Sequence, residues 1–282
     1  MNYTIENGNL SVTATDFGAE VISVVASGKE RLWQNPTGEW AGHAPLLFPV
    51  CGHCGVTVDG VSYPIKSHGF AKRYAFNLKD KGADYLTFSL CANEETKKVF
   101  PFDFIFNVTY RIDGNTLSIE YDVENPADTP MYFACGGHET FDLETDVDGY
   151  EIRFEKEEEL THYYHDKAGC LTGETCAYGN GQPFLLPKDF LQDGATLIFK
   201  NVASRKVQLA RKGGKALADV TFEGFSHLLL WRNGEAKYIC IEPWSNLPDY
   251  ANEPDKEFSQ KDGVFKVDGK SNKKLVRTIT YL

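Results

Sequence analysis

Short β-prone runs recur from one end of this chain to the other, and no segment between them has the length and 3.6-residue period of an amphipathic helix. The runs fall at 10–14, 56–61, 86–90, 104–112, 116–123, 151–154, 196–199, 206–209, 227–231, 238–241 and 275–282. Several alternate apolar with polar residues, as in Asn107-Val108-Thr109-Tyr110-Arg111-Ile112 and Leu117-Ser118-Ile119-Glu120-Tyr121-Asp122-Val123. A period of two sends one face of a strand into a core and the other to solvent. Asp113-Gly114-Asn115 joins those two runs as a tight hairpin, and Asp59-Gly60, Asn233-Gly234 and Asp268-Gly269 carry the same turn chemistry. Only 188–191 and 155–160 read as helical, each a single turn, and the Gly-rich stretch 169–181 reads as a surface loop. The pattern predicts an all-β chain: one large antiparallel β-sandwich spanning residues 1–282, with two extended sheets and a broad concave face.

Composition narrows the partners. A formal charge of −11 disfavours nucleic acid, whose phosphates select clustered Lys and Arg, and equally disfavours anionic membranes. The first residues are polar, with no basic n-region or apolar h-region, and no apolar run reaches membrane-spanning length. Seven cysteines at irregular spacing do not make a disulfide framework. The expectation is a cytoplasmic protein with reduced thiols, acting on a small neutral molecule as a monomer or homodimer.

Cys51-Gly52-His53-Cys54 has the form of a redox or half-zinc motif. A redox motif opens a helix, whose dipole lowers the attacking thiol's pKa, yet here Val56-Thr57-Val58-Asp59-Gly60 follows, a strand entering a turn. No second Cys pair or nearby His pair completes a metal shell. These cysteines read as structural, and neither a metal nor a cofactor is expected.

Three segments do carry candidate chemistry. Ser67-His68-Gly69-Phe70-Ala71-Lys72 sets a His beside Gly and an aromatic residue. Gly136-Gly137-His138 puts a second His after paired glycines, which permit close approach of backbone and ligand. Ile239-Cys240-Ile241-Glu242-Pro243-Trp244 ends an apolar strand in a carboxylate, where desolvation would raise its pKa toward that of a useful base. Trp244 beside it offers an apolar face to sugar C–H groups. Together they supply a Glu/His pair for general acid–base work.

The order Trp33, His43-Ala44-Pro45-Leu46-Leu47-Phe48-Pro49-Val50, Ser67-His68-Gly69-Phe70-Ala71, Gly136-Gly137-His138 and Ile241-Glu242-Pro243-Trp244 resembles the aldose 1-epimerase (galactose mutarotase) family, in its shorter LacX-like branch. The resemblance runs from about Ile5 to Leu282 and implies the galactose mutarotase-like supersandwich and a cofactor-independent isomerase. It implies that Glu242 is the base removing the anomeric proton, His138 the acid protonating the ring oxygen, and His68 a second sugar-binding imidazole. Asp193 would grip sugar hydroxyls, and Phe70, Phe225 and Trp244 would be stacking surfaces. Where relatives carry Gly-Arg this chain has Gly52-His53, so a fixed charged fork becomes a single neutral donor. Lys72 stands where hexose-6-phosphate epimerases tend to have Arg, with Arg73 and Arg31 as further cations for a phosphate. The alternatives are therefore a hexose-6-phosphate 1-epimerase and a non-catalytic carbohydrate-binding protein.

Overall fold

In a computed structural model of the chain, residues 1–180, 183–192 and 195–282 are described. Nine strands form the largest sheet, in the order Phe184–Leu185, Tyr150–Phe154, Lys206–Arg211, Ala216–Thr221, Ser271–Tyr281, Thr116–Asn125, Ile105–Asp113, Tyr85–Cys91, Asn77–Lys81. A six-stranded sheet runs Glu139–Asp142, Tyr238–Trp244, His227–Trp231, Leu197–Phe199, Leu160–His165, Leu171–Gly179. Four strands at the N-terminus (Asn2–Glu6, Leu10–Thr15, Val21–Ala26, Lys29–Glu30) form a third. Every ladder in these three sheets is antiparallel, the large β-sandwich that the alternating pattern predicts. No helix among the described residues is long and apolar enough to cross a membrane.

The centre of the large sheet shows why these residues make strands. Along Thr116–Asn125 burial alternates at every step, with Leu117, Ile119, Tyr121 and Val123 inside. The strand pairs with Ile105–Asp113 through the two-residue loop Gly114-Asn115, where Gly114 takes φ +54°. The run 56–61 is split in two: Asp59 (φ +52°) and Gly60 (φ +76°) fold Val56–Val58 back onto Val61–Tyr63. Two positive φ values in succession fit a type I′ hairpin, the turn that matches strand twist.

Two sequence expectations fail. The Gly-rich stretch 169–181 is no surface loop: Leu171–Gly179 forms the edge strand of the six-stranded sheet. Its residues are mostly exposed, so it lacks the apolar alternation that reveals a strand. Residues 155–160 make no helical turn; they bend into Leu160–His165, whose polar composition hides a strand held by its neighbours. The turn at 188–191 is present as the short helix Lys188–Gln192.

One apolar core runs from Ile5 to Tyr281 and takes side chains from all three sheets. Phe48, Phe100, Phe104, Phe106 and Phe133 interlock there with ring centroids 4.3–6.1 Å apart. Phe70 and Phe225 belong to this core as well, Phe70 against Phe48 and Phe225 against Tyr121. An ion pair crosses the core: Arg277 of the nine-stranded sheet holds the carboxylate of Glu139, on the first strand of the six-stranded sheet, with both terminal nitrogens.

Candidate active site

The strand Tyr238–Trp244 sorts its side chains by parity. Ile239 and Ile241 join the main core, while Cys240, Glu242 and Trp244 point to the opposite face. The neighbouring strand sets Leu229 opposite Glu242 and Trp231 opposite Cys240. Leu229, Trp231, Glu242 and Trp244 thereby form one wall of a cavity of about 310 Å³. Its volume lies at the small end of the range for ligand pockets and suits a monosaccharide.

His138 arrives from the adjoining strand along a backbone that only glycine can follow. Gly136 exchanges hydrogen bonds with Leu47, and the Gly137 N–H donates to the Pro243 carbonyl at 3.0 Å. A Cβ on Gly136 would lie 2.8 Å from the Trp244 ring, and one on Gly137 2.4 Å from the Arg277 guanidinium carbon. So tied, His138 brings Nε2 to 3.4 Å from Glu242 Oε2. Both side chains are buried, and neither His138 Nδ1 nor Glu242 Oε2 has a hydrogen-bond partner.

His68 stands on a strained turn. It and Gly69 take φ +63° and +68°, and a Cβ on Gly69 would sit 2.1 Å from the Phe48 carbonyl oxygen. Phe70 and Ala71 donate to that same oxygen, and the His68 N–H donates to Gly52 O at 2.9 Å. In return the Gly52 N–H donates to His68 Nδ1 at 3.2 Å, which fixes the tautomer with Nε2–H free as a donor. Left-handed backbone at a non-glycine residue is costly and concentrates at functional sites. The His68 ring lies 5.6 Å from that of His138 and 5.2 Å from that of Trp244.

Burial governs the charges. Desolvation holds Glu242 well above the carboxylate range; the Trp244 indole and, less strongly, Lys72 oppose the effect, and the Glu139 charge adds to it. Desolvation and then Lys72 push His138 down to about 3. Burial therefore favours a protonated carboxyl beside a neutral imidazole. That arrangement carries one shared proton, as does its tautomer, a carboxylate beside imidazolium. Lys72 is itself lowered to about 8, first by desolvation and then by Arg73.

Of the residues expected to bind a sugar, His53, His68, Lys72 and Trp244 line this cavity with Glu242 and His138. Phe70 and Phe225 do not: both rings are committed to the core and have no face to offer a sugar. Asp193 lies outside the described residues. Arg31 lines a separate cleft with Lys29 and Asp142, and Arg73 donates to the Gly69 carbonyl. Lys72 is the one Lys or Arg side chain lining the cavity among the described residues.

Sequence reading missed Trp40, Trp231 and His165. Trp40 stacks on His138 at 5.1 Å and Trp231 meets the same ring edge-on at 5.7 Å. Trp231 was findable, two residues beyond Leu229 on one face of a strand, whereas Trp40 sits on an aperiodic loop. His165 is oriented by its Nδ1 contact with Asp166 O at 2.9 Å. A second cavity, of about 210 Å³, opens beyond Pro248; of its four carboxylates, Asp249, Glu253 and Asp262 already face Lys261, Lys256 and Lys200.

The Cys-x-x-Cys motif sits outside any helix, and both thiols are buried. Desolvation and the Asp249 charge drive the Cys54 thiol up to about 12, the reverse of what a redox nucleophile needs. Donor atoms of His138, Cys240 and Glu242 lie within 4.8 Å of one another.

Four histidines, His68, His138, His162 and His227, are held below the ordinary value by burial; His162 and His227 reach about 4. An unfolded chain protonates them near pH 6.5 while the fold excludes those protons. Their stabilising contribution is complete above that pH and declines as pH falls toward 4. Glu242 acts in the opposite sense, so the net effect is that of about three histidines. Thermal unfolding followed by circular dichroism is expected to show Tm falling steadily from pH 7 to pH 5. A flat profile would contradict the buried neutral imidazoles.

A sequence model of the family described as aldose 1-epimerase matches residues 1–263. The LacX protein (chromosomal) of Lactococcus lactis subsp. lactis is 29% identical over 275 residues, covering 88% of each chain. A galactose mutarotase-like protein from Lactobacillus casei has a solved structure that superposes with a TM-score of 0.91 at 29% identity, covering 100% of both chains. A putative glucose-6-phosphate 1-epimerase of Escherichia coli K12 is 28% identical over 134 residues, 42% of this chain and 43% of that one. With its antiparallel sandwich and a Glu and a His converging on a sugar-sized hollow, the chain belongs to the aldose 1-epimerase family.

Proposed function

We propose that the protein interconverts the α and β anomers of a hexose by general acid–base ring opening at Glu242 and His138. The observation that carries this reading is the convergence of the two groups, 3.4 Å apart, on a cavity that a monosaccharide would fill. A sugar placed there offers O1–H and O5 to a pair that holds one proton. Sugar hydroxyls solvate the pair and the proton shifts from carboxyl to imidazole, with no net uptake from solvent. Glu242 then takes the O1 proton while His138 donates to O5, the C1–O5 bond breaks, and the open-chain aldehyde forms. Rotation about C1–C2 exposes the other carbonyl face, and reversed transfers close the ring. His68 Nε2–H is a fixed neutral donor in the same cavity, and Trp244, Trp231 and Trp40 supply apolar faces. No covalent intermediate is needed, because orientation and two positioned proton-transfer groups suffice for a reaction that also proceeds in water. The test is NMR exchange spectroscopy on glucose and galactose. Exchange much faster than in buffer supports the reading, and bound sugar without accelerated exchange would mark a carbohydrate-binding protein instead.

Lys72 favours a second reading, a hexose 6-phosphate as substrate, to which the similarity with the putative glucose-6-phosphate 1-epimerase lends weight. A hydrogen bond to a charged group contributes roughly 1.5–3 kcal/mol, or about 10- to 100-fold. Lys72→Met is expected to lower kcat/KM for the 6-phosphate by that factor and to leave the neutral sugar much less affected. Because Lys72 loses its charge near pH 8, discrimination for the phosphate should fade as pH rises through that value. Equal effects on both sugars would remove the phosphate reading.

A further inference from the structure

We propose that His138, Cys240 and Glu242 form a binding site for a thiophilic divalent cation such as Zn²⁺, and that the cation arrests the proposed proton-transfer pair. The three donors come from two adjacent strands of the six-stranded sheet: Cys240 and Glu242 share one face of Tyr238–Trp244, and His138 immediately precedes Glu139–Asp142, the strand beside it. Their ligand atoms all lie within 4.8 Å of one another, so small side-chain shifts bring them to metal-bonding distance. All three residues are buried, and Glu242 Oε2, the oxygen that faces His138 Nε2 at 3.4 Å, has no hydrogen-bond partner. A buried carboxylate oxygen without a partner is rare and requires an explanation, which a bound cation supplies. A sugar would account for atoms facing the cavity, but it does not account for Cys240. That thiol does not line the cavity and lies in an aromatic pocket with Trp33, Tyr238, Trp40 and Trp231.

One imidazole nitrogen, one thiolate and one carboxylate form a mixed set that suits Zn²⁺, and the fourth tetrahedral position would open toward the cavity. The ion bonds only to deprotonated ligands, so its entry releases the thiol proton and the proton shared by Glu242 and His138. Two protons leave as two positive charges enter, and the buried cluster gains no net charge. With the pair coordinated, neither member can carry a proton to or from a sugar. This proposal rests on the epimerase reading for the consequence of binding but not for binding itself.

The two parts are tested separately. Cd²⁺ alone is titrated into the full chain carrying Cys91→Ser, Cys170→Ser and Cys176→Ser, which removes the thiols that are not fully buried. The readout is the thiolate-to-metal charge-transfer absorbance. One equivalent is expected to generate the band, Zn²⁺ to displace it, and saturating aldose to raise the apparent Kd. Cys240→Ala should abolish the band and weaken Zn²⁺ binding roughly 100-fold or more, since even outer-shell changes cost about 10–100-fold. Cys240→Ser, with a hydroxyl of similar size, guards against misreading a folding defect. Absence of the band, or a band that persists in both Cys240 variants, would overturn the site. In the second arm, Zn²⁺ should suppress anomer exchange reversibly on addition of a chelator, and much less in Cys240→Ser. If the band forms without any basal exchange, the site stands and only the epimerase reading falls.

Discussion

Replacing Glu242 with Gln is expected to slow anomer exchange by about 10²–10⁴-fold, the usual contribution of one positioned acid or base, with KM changed far less. Gln has nearly the same shape, so the cavity wall opposite Leu229 should survive, and the amide cannot take up a proton. The loss would fall on kcat because the interaction removed operates only while protons are in flight. His138→Gln should produce a loss of similar size, and the double variant little more than either single, since the two residues share one proton and act as a unit. NMR exchange rates at saturating sugar measure all three. A Glu242→Gln protein within a few-fold of wild type would mean that the base lies elsewhere.

The pH profile follows from the same proton. On the proposed mechanism activity requires one proton on the pair: it should fall in alkali when that proton is lost and in acid when His138 takes a second. Burial raises Glu242 and depresses His138 to about 3, so the working range widens on both sides of neutrality. The acid limb is expected well below pH 6.5, provided that the fold survives there.

Much of this was legible in the sequence wherever side chains obey a simple period. Alternation along 116–123 gave the core of the large sheet; Gly136-Gly137 signalled a close approach of backbone and ligand, whereas what packs against them is the Trp244 ring and the Arg277 guanidinium. Where strands are held by neighbours rather than by their own apolar face, the signal disappears, as at Leu171–Gly179 and Leu160–His165. Aromatic residues show the same limit. Phe70 and Trp244 both stand beside motif residues, yet Phe70 faces the phenylalanine core and Trp244 the cavity, because each follows the direction set by its own turn or strand. Trp40 reaches His138 from a loop held by three contacts: the Trp33 indole N–H donates to the Trp40 carbonyl at 3.1 Å, the Trp40 N–H donates to Asn35 Oδ1 at 3.1 Å, and the Asn233 amide donates to Glu39 O at 2.6 Å. No local pattern encodes the last of these, which joins residues 194 apart in the chain.

Arg277→Met is expected to destabilise the fold by about 3–5 kcal/mol, because it leaves the Glu139 carboxylate buried without its counter-charge. Arg277 and Glu139 are 1% and 4% exposed, so little water can replace the lost partner. Arg277 Nε also donates to the Tyr121 hydroxyl at 2.8 Å, which joins the pair to the centre of the large sheet. For a chain of this size the loss corresponds to a fall in Tm of roughly 5–8 °C. Glu139→Gln strands the opposite charge and should cost a similar amount. The double variant Arg277→Met/Glu139→Gln should recover most of the stability, as buried ion pairs replaced together by less polar groups often do. The effect should also reach the site, because the guanidinium packs directly behind Gly137, one residue from His138. In Glu139→Gln a negative charge that holds Glu242 upward is gone and the Arg277 cation is left unbalanced. Both changes favour the Glu242 carboxylate, so the alkaline limb of anomer exchange should move to lower pH while KM stays nearly constant. If the stability losses appear and that limb does not move, the pair only fastens the two sheets; if both appear, it also sets the proton affinity of the Glu242 carboxylate.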